Sequence, residues 1–197
     1  MGRILSLFNQ EAQLITALQR HDRKAQRTLY DKYSSRMLGL CFRYVGDEMM
    51  AEDVMIEGFI KVFGKIGQFK SDGSFEGWIR RIMVNEALGY LRKQKRIPED
   101  FLSEEASNIP DYQYADQNLD AQEIMVLIEQ LPMGYRTVFN LYAIEGYAHT
   151  EIAELLGITE STSKSQLHRA RAMLQRMLAD WESEFKKKVV SETLVII

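Results

Sequence analysis

Apolar residues recur every three or four positions along most of this chain, and segments of strictly alternating polarity are few. A period near 3.6 is that of an α-helix with one buried face, whereas alternation would indicate strands. The clearest case lies within residues 23–45, where the apolar positions are Ala25, Leu29, Tyr33, Met37, Leu40 and Tyr44. The pattern therefore predicts an all-α fold.

Breaks in this pattern predict two small helical domains joined by a flexible acidic linker. Helices are expected at 11–19, 23–45, 48–66 and 75–95, and again at 119–130, 135–144 and from 149 onward. Between them, residues 97–118 hold two of the three prolines and no apolar period, as a linker does. We therefore predict domains at 11–96 and 119–180, followed by a tail at 181–197 that either packs on a neighbouring surface or is disordered.

Residues 149–177 predict a helix, a tight turn and a second helix with a basic end. Gly157 can take the positive φ that ends a helix, and the Thr159 hydroxyl can cap the next one, with Glu160 in its first turn. This is the layout of a helix-turn-helix, whose second helix can enter the DNA major groove. An ordinary helical hairpin with a solvated basic face is the alternative.

Charge is distributed unevenly, although the chain as a whole carries only −3. Residues 1–96 hold 17 Lys and Arg against 11 Asp and Glu, whereas 97–118 hold six acids and no base. The first domain is therefore basic, as a nucleic-acid binder would be. A single cysteine, and no apolar run of signal-peptide or membrane-span length, lead us to expect a cytoplasmic protein without membrane insertion.

No residue pattern predicts an enzyme, a cofactor or a metal site. The loop at 67–74 lacks the Lys-Ser/Thr ending of a phosphate-binding loop, and the three histidines share no ligand spacing. The helix at 75–96 instead suits DNA, since its cations can bind phosphates and Asn85 can bond a base edge. Phe69 beside the loop could stack an unpaired base, although Phe69, Phe75 and Trp78 more often belong to a core at this spacing.

Three segments together resemble a known family. The stretches DEMMAEDVMIEGFIKVF and GQFKSDGSFEGWIRRIMVNEALGYLRKQKR resemble region 2 of bacterial RNA polymerase sigma factors, and residues 119–178 resemble their region 4. The lack of a sizeable domain between them is similar to the compact extracytoplasmic-function (ECF) group. The resemblance implies a non-catalytic transcription initiation factor that binds core polymerase and recognises the −10 and −35 promoter elements.

The resemblance also assigns partners and residues. Partners would be promoter DNA, the clamp helices of the largest polymerase subunit, the flap of the second-largest subunit, and an anti-sigma factor. The core polymerase would be bound by Asp47, Glu52, Asp53, Glu57 and Lys61. The −10 element would be bound by Phe69, Lys70, Ser71, Arg80, Arg81, Asn85, Arg92, Lys93 and Arg96. The −35 element would be bound by Thr159, Ser161, Thr162, Lys164, Ser165, His168, Arg169 and Arg171.

Four positions depart from the family's usual pattern. Ile56 replaces a common glutamine on the core-binding helix, and Ala148 replaces the Ser or Thr that usually caps the first helix of the helix-turn-helix. Ser163 stands where Val or Ile is usual between the two helices, and Gln166 where Arg is frequent. These departures predict weak −35 binding by the helix-turn-helix alone.

Two other functions remain open from the sequence. One is a stand-alone helix-turn-helix regulator whose helical first half is a sensor or dimerisation domain. The other is a sigma-like decoy that sequesters an anti-sigma factor, which the basic residues Lys164, Arg169 and Arg171 disfavour because a decoy has no need to bind DNA.

Overall fold

The computed structural model describes residues 2–70, 72–94 and 121–194, and in these ranges the regular structure is entirely helical. The chain divides into two compact units, Met1–Lys95 and Arg96–Ile197. The predicted all-α class is therefore confirmed. The predicted linker at 97–118 lies outside the described residues, as do Ser71 and Arg96.

The first unit contains α1 (Gly2–Gln19), α2 (Arg23–Val45), α3 (Glu48–Lys65) and α4 (Phe75–Lys93), with a 3-10 turn at Ile66–Gln68. Side chains cap the starts of three of these helices: Asp22 caps α2, Asp47 caps α3 and Ser74 caps α4. Gly46 ends α2 in the left-handed region at φ 74°, which costs little without a Cβ. These local signals explain why α2 begins and ends where the sequence predicts.

Helices α2, α3 and α4 pack against one another around a continuous apolar core. Its largest fully buried side chains include Tyr33, Tyr44, Phe75, Leu29, Met37, Leu40, Ile79, Met83, Leu88 and Leu91. Gly58 of α3 lies directly against Met83 of α4, so the absence of a side chain at 58 lets the two helices approach closely. This contact sets the spacing between α3 and α4.

The second unit contains α5 (Ala121–Glu129), α6 (Met133–Phe139), a π-helical segment (Asn140–Ile144), α7 (His149–Leu156) and α8 (Glu160–Leu194). Leu127, Ile128 and Leu131 pack with Ala170 and Leu174 of α8. Gly157, at φ 70°, turns the chain from α7 into α8, as predicted. The helix-turn-helix is thus held on a small core formed by α5, α6 and the middle of α8.

Several predicted helix bounds are wrong. Helix α1 begins at Gly2 rather than at residue 11, and α3 gives way to a 3-10 turn at Ile66. The single helix predicted at 135–144 is a short α-helix followed by a π-helical segment. Helix α8 continues to Leu194 and so includes most of the predicted tail, whose last three residues lie outside the described part.

Candidate nucleic-acid interface

One face of α3 is acidic and exposed. Glu52, Asp53 and Glu57 are solvent-exposed, while the opposite face of the helix is buried against α2 and α4. Asp47 is also exposed, and its Oδ1 accepts the Met50 N–H at 2.9 Å, so this carboxylate caps the helix. An exposed acidic helix face suits a basic partner, because complementary charge favours encounter and register.

Exposed apolar side chains lie along the same helix. Met49 is 69% exposed, Ile56 42% and Ile60 57%. These residues were not predicted as a group, although their spacing of seven and four residues places them on one side of a helix. A mixed acidic and apolar face is typical of a protein-binding surface rather than a DNA-binding one.

Lys61, which the resemblance assigns to core-polymerase binding, is paired with a residue of α4. Its Nζ lies 2.6 Å and 2.7 Å from the two carboxylate oxygens of Glu86, so it joins α3 to α4. The Glu86 side chain is only 18% exposed. Lys61 therefore neutralises a half-buried acid on α4, which makes it a bridge between the two helices.

Helix α4 carries the basic surface of the first unit. Arg81, Asn85, Arg92 and Lys93 are exposed, and Arg80 is half-buried. Arg81, Asn85 and Arg92 are separated by four and seven residues, which places an amide between two guanidinium groups on one side of the helix. Lys70 is exposed in the loop that precedes α4.

Phe69 belongs to an aromatic cluster rather than standing free in the loop. Its ring centroid lies 5.0 Å from that of Phe75 and 5.5 Å from that of Trp78, and the Phe75 and Trp78 rings are stacked at 6.0 Å. Phe75 is buried, whereas Phe69 and Trp78 keep partly exposed surfaces. The cluster is therefore part of the core, as the alternative expectation held, with two rings that remain accessible from one side.

Hydroxyl side chains form the hydrogen bonds at the start of α8. Thr159 Oγ1 accepts the Thr162 N–H at 3.1 Å, which confirms the predicted cap, and lies 2.8 Å from both Ser161 Oγ and Thr162 Oγ1. Ser165 Oγ donates to the Thr162 carbonyl at 2.9 Å. These bonds order the first turn of the helix.

Basic side chains follow on the exposed side of α8. Lys164, His168 and Arg171 are exposed, whereas Arg169 is half-buried. Lys164 pairs with Glu160 at 2.6 Å, and this contact lowers the pKa of the exposed Glu160 carboxyl. Together with Ser161, the three exposed side chains recur every three or four residues and form one polar, cationic face.

The first helix of the helix-turn-helix has half of a capping box. Ala148 occupies the cap position and has no side-chain acceptor, but its N–H donates to Glu151 Oε2 at 2.9 Å. Helix α7 thus begins at His149 with one of its two usual side-chain caps.

A cluster that was not predicted from the sequence connects α7 to α8. His149 Nδ1 is hydrogen-bonded to Ser163 Oγ at 2.9 Å, and the imidazole stacks on Tyr142 with centroids 4.5 Å apart. The Arg171 guanidinium lies 5.7 Å from the same Tyr142 ring. Desolvation lowers the pKa of His149, with smaller effects from Lys164 and Arg171, so the neutral imidazole is favoured.

The two departures on α8 are both buried. Ser163 is fully buried and bonded to His149, so its hydroxyl has a partner inside the unit. Gln166 is only 6% exposed and faces the interior of the unit. Neither residue belongs to the exposed face that carries Lys164 and Arg171.

Two other kinds of site are not found in the described ranges. No group of three or more His, Cys, Asp or Glu side chains there could hold a metal ion. Among the helices described, none is both long enough and apolar enough to cross a bilayer.

Comparison with known proteins identifies both units. Residues 29–97 match the model of sigma-70 region 2, and residues 121–174 match that of sigma-70 region 4. The chain is 31% identical over 181 residues to the RNA polymerase sigma-H factor of Pseudomonas aeruginosa, covering 86% of this chain and 94% of that protein. It is 32% identical to the ECF sigma-E factor of Haemophilus influenzae, with 84% and 93% covered.

A solved structure has the same fold. The sigma factor RpoE of Bartonella quintana, determined in complex with the anti-sigma factor NepR, is 23% identical, with a TM-score of 0.50 over 78% of this chain and 96% of that one. The two region matches in order, and relatives aligned along nearly their whole length, are consistent with one conclusion. The chain belongs to the extracytoplasmic-function group of the sigma-70 family, and it is a non-enzymatic initiation factor that directs RNA polymerase to promoters.

Proposed function

We propose that this sigma factor binds its partners through three separate surfaces. The acidic face of α3 binds core polymerase, and α4 with its preceding loop binds the −10 element. The exposed face of α8 binds the −35 element. The observation that carries the proposal is the segregation of charge in the first unit. Acids lie on α3 and cations on α4, although the two helices pack directly against each other. The acidic helix suits a basic protein surface, and the cationic helix suits the negatively charged backbone of DNA.

The core-binding surface consists of Glu52, Asp53 and Glu57 with the exposed apolar residues between them. Its partner is the clamp-helix region of the largest polymerase subunit. Apolar contacts supply affinity at the centre of such an interface, and the surrounding acids supply steering and register. Asp47 contributes chiefly by capping α3, and Lys61 by bridging to Glu86. Both residues therefore support the core-binding surface rather than form its centre.

The −10 surface consists of Arg81, Asn85, Arg92 and Lys93, with Lys70 from the loop. Cations bind phosphates without regard to sequence, whereas the Asn85 amide can form a bidentate bond to an adenine edge. The accessible sides of Phe69 and Trp78 supply a stacking wall for a base that leaves the duplex. Arg80 supports this surface from a half-buried position.

The −35 surface consists of the exposed residues of α8. Lys164, His168 and Arg171 face the major groove, and the hydroxyl-rich first turn approaches a phosphate, since a helix N-terminus favours an anion. The second unit also binds the flap of the second-largest subunit. We propose that the protein works in the cytoplasm with its polymerase. By analogy with the RpoE–NepR complex, we also propose that an anti-sigma factor holds it inactive.

Two substitutions separate the surfaces. Asp53→Lys should weaken binding to purified core polymerase about tenfold, because it replaces a complementary charge with a repulsive one. Asn85→Ala should leave core affinity within twofold and reduce open-complex formation about tenfold, the loss of one bidentate base contact. Core affinity is measured by fluorescence anisotropy, and promoter opening by permanganate reactivity of the −10 strand.

Matched controls are available in the same unit. Asp31→Lys reverses an exposed acid on α2, and Gln19→Ala removes an exposed amide at the end of α1, so neither should change either readout. If Asp53→Lys leaves core affinity intact, or if Asn85→Ala weakens core binding instead, the assignment of surfaces is wrong. A stand-alone regulator would bind promoter fragments equally well without core polymerase, and a decoy would bind none.

A further inference from the structure

We infer that His149 is a positioning residue for −35 recognition, acting through Ser163 and Tyr142 on the recognition helix α8. This inference rests on the proposed role of α8 in binding the −35 element. It concerns three residues of the second unit to which the family resemblance gives no role.

The hydroxyl of Ser163 is buried. Ser163 has no exposed surface, and its hydrogen bond to His149 Nδ1 runs from α8 back to the first residue of α7. A buried hydroxyl without a partner is costly, whereas an apolar residue in the same slot would need none. The chain therefore depends on a directional bond at a point where an apolar side chain would need none.

A directional bond restricts the orientation of α8 in a way that apolar contact does not. Ser163 immediately precedes Lys164, so the bond fixes the rotation of α8 about its own axis at the position where the cationic face begins. Apolar side chains can slide while they keep their burial, but a hydrogen bond weakens steeply when its angle changes. The His149–Ser163 bond thus holds the exposed face of α8 in one register relative to α7.

Tyr142 extends the same restraint along α8. Its ring stacks on His149 at an interplanar angle of 23°, and Arg171 lies over that ring, two helical turns beyond Ser163. A guanidinium over an aromatic ring is attracted by the ring quadrupole. The imidazole therefore orients the tyrosine that in turn holds Arg171, so His149 acts on both ends of the basic face.

His149 also lies where the helix lacks a cap. Ala148 offers no side-chain acceptor, and Glu151 caps only the Ala148 N–H. The start of α7 is thus anchored less firmly by local bonds than in a complete capping box, and its contact with α8 through His149 becomes more important.

The test uses holoenzyme and a promoter fragment selected by wild-type holoenzyme from a randomised library, together with the same fragment carrying a scrambled −35 element. The quantity measured is the ratio of the two affinities. His149→Phe keeps a ring on Tyr142 but removes the bond, and should lower this ratio about tenfold. His149→Asn places an amide near the Nδ1 position but removes the ring from Tyr142, so the ratio should fall by less than in His149→Phe.

The double variant distinguishes a positioning role of His149 from a general effect on the stability of the second unit. Adding Ser163→Val to His149→Phe removes the orphaned hydroxyl and restores the apolar slot, so the ratio should recover to within threefold of wild type. Holoenzyme formation should be unchanged in every variant. If His149→Phe lowers the melting temperature but leaves the ratio unchanged, or if the double variant is no better than the single one, the inference is overturned. A wild-type ratio near one would instead refute the proposed −35 role of α8.

Discussion

Replacing Gly58 with alanine tests the packing that holds α3 against α4. A Cβ at this position would overlap Met83 Sδ and lie 3.0 Å from Met83 Cε, and Met83 is fully buried. Overpacking of this kind costs typically 1–3 kcal/mol, while alanine gains about 1 kcal/mol over glycine in a helix interior. We therefore expect Gly58→Ala to lower the free energy of unfolding by about 1 kcal/mol.

Gly39→Ala is the matched control, since it adds the same methyl group to an exposed helical position where the new Cβ would meet no neighbouring side chain within 4 Å. It should raise the free energy of unfolding by about 1 kcal/mol, so the two variants should differ by about 2 kcal/mol. Urea unfolding is followed by Trp78 fluorescence in a Trp181→Phe background, which restricts the signal to the first unit.

The reasoning is refuted if Gly58→Ala stabilises the first unit as much as Gly39→Ala does. A second check uses Met83→Ala, which removes the side chain that the new methyl group would meet. In that background Gly58→Ala should no longer destabilise, and a cost that persists would place its origin elsewhere than in the α3–α4 contact.

Three further outcomes follow from the structure. Ala148→Ser should raise the free energy of unfolding of the second unit by about 1 kcal/mol by completing the cap of α7, and an unchanged urea midpoint followed by Trp181 fluorescence would contradict this. Burial raises the pKa of the Cys41 thiol to about 12, so iodoacetamide should label it at pH 8 only at the rate of unfolding, and rapid labelling of the folded protein would show that the thiol is accessible. Folding lowers the pKa of His149, so the unfolded chain binds its proton more readily. The free energy of unfolding should therefore decrease as the pH falls below about 6.5. An equal decrease in His149→Asn would assign the effect to another group.

Local signals made much of the first unit predictable. Helix α2 has the predicted bounds, and in the structure Asp22 caps its start and Gly46 ends it. The start of α1 could not be predicted in the same way, since no Ser, Thr, Asp or Asn precedes Gly2 as a cap. The π-helical segment after α6 also had no local signal, because Asn140 is fully buried and its environment depends on tertiary packing.

The functional surfaces show the same difference between features set within one helix and contacts made between helices. The Thr159 cap and the basic face of α8 follow from spacing within one helix, so the sequence was sufficient to predict them. The contact between His149 and Ser163 joins residues 14 positions apart on different helices, and the Lys61–Glu86 pair joins residues 25 positions apart. Such pairs depend on how helices pack, so neither contact could be predicted from the sequence.

Run-off transcription with sigma-free core polymerase tests the central claim most directly. A library of promoter fragments is transcribed with core polymerase alone, with core plus this protein, and with core plus the Asp53→Lys variant. The account predicts discrete transcripts from a defined subset of fragments only when the wild-type protein is present, with far less product from Asp53→Lys at limiting concentration. Absence of any protein-dependent transcript, with no complex formed on the core enzyme, would contradict it.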